Sequence, residues 1–127
     1  MVGEAGGGRG ADSTAAAESA AGAAAEVARL TGGAVAVSGA MDLVLDARRE
    51  ARLARGSALL PRVTGTGCLL GALTAACTAV WEDSFEAALA ATTWMALAGE
   101  RAASRATGPG SFRMHLLDAL DEIGRRP

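Results

Sequence analysis

One stretch constrains this chain more than any other: Val63-Thr64-Gly65-Thr66-Gly67-Cys68. A strand-like segment precedes it and a long helical pattern follows. Glycines at this spacing demand a tight turn, and the turn delivers the chain into a helix whose first residues include Cys68. The first N–H groups of a helix have no partner within it, and the positive end of the helix dipole lies on the same side. Such a start is an anion site, with phosphate the usual occupant and Cys68 facing it. The same string also suits an ordinary tight turn into a helix, because Gly-rich turns are common.

The 127 residues suffice for one domain with a sizeable core, and half of them are hydrophobic, as in packed globular chains. A net charge of −2 argues against general nucleic-acid binding. No apolar run reaches the length of a membrane span, and no signal-peptide pattern opens the chain. The two cysteines, Cys68 and Cys77, lie on one helical pattern and read as reduced thiols of a cytoplasmic protein. All 12 basic residues are arginine, which excludes a Walker-A lysine and a Schiff-base lysine. His115, the single histidine, reads as an ordinary surface or packed side chain, and a zinc site is disfavoured. For the same reason a cysteine hydrolase built on Cys68 lacks a nearby base.

Five glycines within residues 1–12 predict a loop, with Arg9 free to touch a phosphate or the whole segment frayed as a terminus. Asp12, Ser13 or Thr14 then caps a helix reaching Leu30, with Ala16, Ala20, Ala23, Val27 and Leu30 on its packed face. Gly32 ends it. The apolar run Ala34–Val37 predicts a buried parallel strand, and Ser38 at its end lies where ligands bind in open α/β sheets. On the residues alone, Ser38 reads first as a strand-end turn residue. Leu43–Leu45 and Ala51–Leu53 predict a hairpin with one wet face, and Pro61 bars a regular central strand. After the glycine turn, Leu69, Leu70, Leu73, Cys77, Val80 and Trp81 make one helical face. Asp83 and Glu86 start a further helix, with Phe85, Leu89, Thr92, Ala96 and Gly99 on one side. Gly108–Ser111 breaks it and caps a last helix striped by Phe112, Leu116, Leu117, Leu120 and Ile123.

Four stretches carry a family resemblance: Gly6–Ser13, Val35–Gly39 with Asp42, Val63–Cys68 and Gly108–Phe112. In order and spacing the chain resembles the C-terminal part of hydroxyethylthiazole kinase, a thiamine-salvage enzyme of the ribokinase-like superfamily. The Gly-Thr-Gly-Cys string is the specific part, since most ribokinase-like kinases carry aspartate where Cys68 stands. The resemblance implies an α/β fold of three-layer α/β/α type. Residues 1–127 would form the C-terminal portion of one kinase domain whose N-terminal half is absent. It implies ATP-dependent phosphorylation of the hydroxyl of 4-methyl-5-(2-hydroxyethyl)thiazole, with Mg²⁺ bridging the phosphates, in a cytoplasmic homotrimer. Gly65, Thr66 and Gly67 match the family's anion hole, Gly65 also a thiazole-contacting position, Ser38 an ATP-contacting position and Cys68 the catalytic base. A helix start favours thiolate, in keeping with that last role. The metal ligands are left unassigned: the family's Asn-x-x-Glu motif falls before Met1, and Ala40 replaces a family glutamate. The competing reading is an inactive fragment or split-gene partner of such a kinase.

Overall fold

The computed structural model describes residues 20–125, together with the backbone of 8–9 and 12–13. Gly8–Arg9 (β1) and Asp12–Ser13 (β2) pair antiparallel. The described helix that follows begins after Ala20 rather than at an Asp12 or Ser13 cap, and Thr14 and Ala16 lie outside the described residues. Helix α1 spans Ala21–Thr31 and ends on Gly32 at φ 69, whose N–H donates to the Ala28 carbonyl at 2.9 Å. Its packed face is Ala24 and Ala28 rather than Val27 and Leu30, which is 64% exposed. An alanine-rich helix has little hydrophobic asymmetry to declare its face, and here the sheet selects the smallest side chains for the closest approach.

The main sheet has three strands, β3 (Val35–Val37), β4 (Asp42–Leu45) and β5 (Glu50–Leu53), in the order β3-β4-β5. Both pairings are antiparallel, with Val35 opposite Leu45 and Leu45 opposite Glu50. The expected parallel strand at Ala34–Val37 is thus antiparallel to its neighbour and only partly buried. The connection to β4 is too short for a crossover, so a sequential partner must run the other way. The hairpin from β4 to β5 follows the expectation, including the wet face of β5. Asp46 shapes its turn by accepting hydrogen bonds from the Arg48 and Arg49 N–H groups, each at 2.7 Å.

Strand β4 is the middle of three layers. Leu43 and Leu45 pack on Ala24 and Ala28 of α1, whereas Val44 faces the other way onto Phe85 and Ala88. Those two belong to helix α3 (Ser84–Arg105), capped by Asp83, whose carboxylate accepts from the Phe85 and Glu86 N–H groups. The α/β/α layering is the expected one. Arg49 ties the hairpin turn to α3: it bridges Asp46 at 2.6 Å and Asp83 at 2.9 Å and lies 4.4 Å from the Phe85 ring centroid.

Helix α3 is the hub because small residues on several of its sides admit close neighbours. Helix α4 (Pro109–Gly124) packs Phe112, Leu116 and Ala119 against Met95, Ala98 and Ala102. Leu117, expected in this stripe, is 54% exposed, and Ala119 fills the inward position. Ser111 closes the break before α4 by accepting from the Gly108 N–H at 3.2 Å. Helix α2 (Thr66–Thr78) buries Cys77 against Ala87 and Ala91. It stops before Val80 and Trp81, which are exposed rather than packed as expected.

Candidate functional site

The site begins at Gly56, not at the glycine turn itself. After β5 the chain passes Gly56 and enters a short 3₁₀ turn, Leu60–Arg62, with Pro61 at its start. This turn replaces the strand-like segment expected before Val63; proline fixes φ and removes an N–H, so the chain coils instead of pairing. Val63 is extended, and Gly65 then takes φ 99, ψ −8, a conformation that favours glycine. Helix α2 opens at Thr66.

No side chain caps this helix start, and no acidic residue lies in its first turn. The first turn closes with the Leu69 N–H donating to the Gly65 carbonyl at 2.9 Å, so the N–H groups of Gly67 and Cys68 precede the first helical bond. The Thr66 N–H is turned back toward the Val63 carbonyl at 3.4 Å. Of the residues expected to form an anion hole, Gly67 leaves its N–H without a helical partner, as does the following Cys68, and Gly65 supplies the bend. Nothing lies within 4 Å of a Cβ built on Gly65 or Gly67, so the backbone there is open to close approach. The Cys68 thiol is exposed on this turn; Cys77 is buried, and burial pushes its thiol above the usual range.

Ser38 follows β3 and is exposed. Asp42 holds its loop, accepting from the Gly39 N–H at 2.9 Å. Burial pushes the Asp42 carboxyl above its ordinary value, against the Gly39 N–H bond, which lowers it. No hydrogen bond among the described residues joins Ser38 to the Gly65–Cys68 turn. The two stretches are related through α3, which packs on α2 and on the sheet. Two open surface hollows, one beside Asp46 and Arg49 and one beside Trp81, Trp94 and Ile123, include neither Ser38 nor Cys68. Among the described residues, no three of His, Cys, Asp and Glu gather closely enough to hold a metal ion.

Residues 1–126 match the model of the Hydroxyethylthiazole kinase family. The chain belongs to this family. It is 52% identical over 123 residues to the hydroxyethylthiazole kinase of Kineococcus radiotolerans, covering 97% of this chain and 45% of that protein. The hydroxyethylthiazole kinase of Escherichia coli K12 is 49% identical over the same length, 97% of this chain and 47% of that one. The structure of a hydroxyethylthiazole kinase protein from Pyrococcus horikoshii OT3 superposes with TM-score 0.75 at 42% identity, over 81% of this chain and 40% of that chain. The chain thus spans about half the length of the curated relatives it matches, and its incomplete α/β architecture is that of the hydroxyethylthiazole kinase fold.

Sequence reasoning missed two contributors. The Thr66 side chain turns away from the open face and bonds the preceding 3₁₀ turn, and Glu100 on α3 grips the loop at Arg55 and Gly56. Arg55 and Glu100 are 45 positions apart and leave no local signature, whereas the Thr66 hydroxyl bonds span only three and six positions and depend on the 3₁₀ turn being formed.

Proposed function

We propose that this chain supplies the phosphate-binding part of a hydroxyethylthiazole kinase site, transferring the γ-phosphoryl group of ATP to the hydroxyl of 4-methyl-5-(2-hydroxyethyl)thiazole. The observation that carries the reading is the uncapped start of α2, open above Gly67 and bearing the exposed Cys68 thiol. In this reading the N–H groups of Gly67 and Cys68 hold the transferring phosphoryl group, and Gly65 makes the bend that aims them and contacts the thiazole. Thr66 belongs to the anion hole as the residue that joins the Gly65 bend to the Gly67 N–H, and Ser38 contacts ATP. The alcohol oxygen attacks the γ-phosphorus, the bond to the bridging oxygen breaks, ADP leaves, and the alcohol proton passes to the Cys68 sulfur, which enters the step as thiolate and leaves it as thiol. Phosphate charge opposes a thiolate beside it, so proton transfer follows bond formation.

Mg²⁺ neutralises ATP's phosphates when bound. Among the described residues no three of His, Cys, Asp and Glu cluster, so no protein ligand is assigned to the ion, and each step is carried by the chain's own residues. A homotrimer and a cytoplasmic setting belong to the same proposal, as does residues 1–127 forming one portion of a single kinase domain. A second reading is an inactive fragment or split-gene partner. It is favoured by the outer edge of β3, which carries no strand among the described residues, and by the share of each relative that the chain spans.

The test is a coupled assay for ADP release with ATP, Mg²⁺ and the thiazole alcohol. Thiazole-dependent turnover supports the kinase, and a folded sample without turnover supports the second reading. Cys68→Ala should lower turnover by about 10²-fold or more, the usual contribution of a general base, whereas Cys68→Asp should keep or raise it. Parental turnover in Cys68→Ala removes the base assignment.

A further inference from the structure

The anion turn needs a support, because a bend at Gly65 and an uncapped helix start are both easily frayed. The support comes from behind. The Thr66 hydroxyl lies 3.0 Å from the Leu60 carbonyl oxygen and 3.1 Å from that of Val63, and its one hydrogen is shared between them. These contacts fold the first residue of α2 back onto the 3₁₀ turn. That turn is itself seated: the Leu60 side chain rests over Gly99, where an added Cβ would come within 3.0 Å of Leu60 Cδ1. One residue on, Glu100 accepts from the Gly56 N–H at 3.1 Å and from the Arg55 guanidinium at 2.6 and 3.0 Å. The brace therefore runs from the middle of α3, through Gly56 and Leu60, to the hydroxyl of Thr66.

We infer that Thr66 is a positioning residue through its side chain, latching the Gly65–Cys68 turn to the Leu60–Val63 segment that Gly99 and Glu100 anchor to α3. A hydroxyl that faces away from the open side of the turn touches no reactant, so its effect on transfer is exerted through the N–H groups of Gly67 and Cys68. This role rests on the kinase reading for its catalytic consequence and on the observed hydrogen bonds alone for its mechanical one. Valine lacks the donor while keeping the branched shape; serine keeps the donor and loses only the methyl group.

Amide hydrogen exchange and turnover on Thr66→Val, Thr66→Ser and Glu100→Gln test it, with circular dichroism verifying that each folds. In Thr66→Val the Leu69 amide should exchange about fivefold faster, the worth of one ordinary hydrogen bond, while Ala98 and Ala102 amides in α3 stay within twofold. Thr66→Ser should restore the parental rate, and Glu100→Gln should shift Leu69 in the same direction by less. Where the parent turns over, Thr66→Val should lower kcat about tenfold with little change in the KM for ATP, and serine should recover it. Absence of turnover in the parent defeats the kinase reading and leaves the exchange results to judge the latch. Unchanged Leu69 exchange in Thr66→Val, or failure of serine to restore it, overturns the inference.

Discussion

Gly65 and Gly67 stand two residues apart in one turn, yet alanine should act on them with opposite signs. At Gly65 the backbone is at φ 99, where an L side chain costs about 1–2 kcal/mol. Nothing lies within 4 Å of the added Cβ, so no steric cost adds to this. Gly67 is inside α2 without a positive φ, and there alanine removes the helical penalty of glycine, a gain of about 0.5–1 kcal/mol. The added methyl at Gly67 again meets open space, but that space is where the phosphoryl group approaches in the proposed site. Gly67→Ala should therefore be more stable and less active, and Gly65→Ala less stable and less active. Urea unfolding followed by circular dichroism should separate the two midpoints by on the order of 1 M, given a slope of roughly 1–3 kcal/mol/M for a small protein. ADP release supplies the other axis. A Gly67→Ala variant that gains stability and keeps parental turnover would refute the claim that a ligand uses this face. A Gly65→Ala variant of unchanged stability would refute the conformational argument.

Other consequences follow from the packing and the charges. The Arg55 guanidinium and the Gly56 N–H hold the Glu100 carboxyl down to about 2 from its ordinary 4.5, so its stabilisation is complete above pH 4.5 and lost as pH falls through 2. Arg55 is 55% exposed, so solvent screening reduces the pair to about 1 kcal/mol, and Glu100→Gln should be destabilised by that much at pH 7 and match the parent near pH 2. Leu116→Ala should cost about 2–5 kcal/mol in urea unfolding, while its exposed neighbour Leu117→Ala should stay within about 0.5 kcal/mol. A thiol reagent should titrate Cys68 quickly and Cys77 only after unfolding, because Cys77 is 2% exposed and burial also raises its thiol.

Local chemistry was legible wherever a few neighbouring residues decide the backbone. The glycine turn into α2, the left-handed end of α1 at Gly32, the Asp83 cap and the Gly108–Ser111 break are of this kind. So is the hairpin, whose alternating residues declare its wet face. The face of α1 was not legible, because alanine at nearly every position carries no directional signal, and the sheet chose Ala24 and Ala28. The end of α2 was misjudged for a related reason: Val80 and Trp81 continue the apolar spacing past the last helical residue. At the candidate site the sequence pointed to Gly65, Thr66, Gly67 and Cys68, but treated Thr66 as one N–H donor among several. Its hydroxyl bonds to the Leu60 and Val63 carbonyls became visible only in three dimensions.

By itself, the sequence determined that a sharp glycine bend leads into a helix whose first turn holds Cys68, that this helix start lacks an acidic cap, and that the chain itself supplies no lysine. These are properties of residue type and short spacing, which act within a few bonds along the chain. Only the tertiary structure decided that the bend is braced from α3, that Gly99 and Glu100 anchor the brace, and that Ser38 lies on a separate loop. Those relations join residues tens of positions apart, and they arise from which small side chains let α3 approach its neighbours. Spacing along the chain carries no record of that choice; packing makes it.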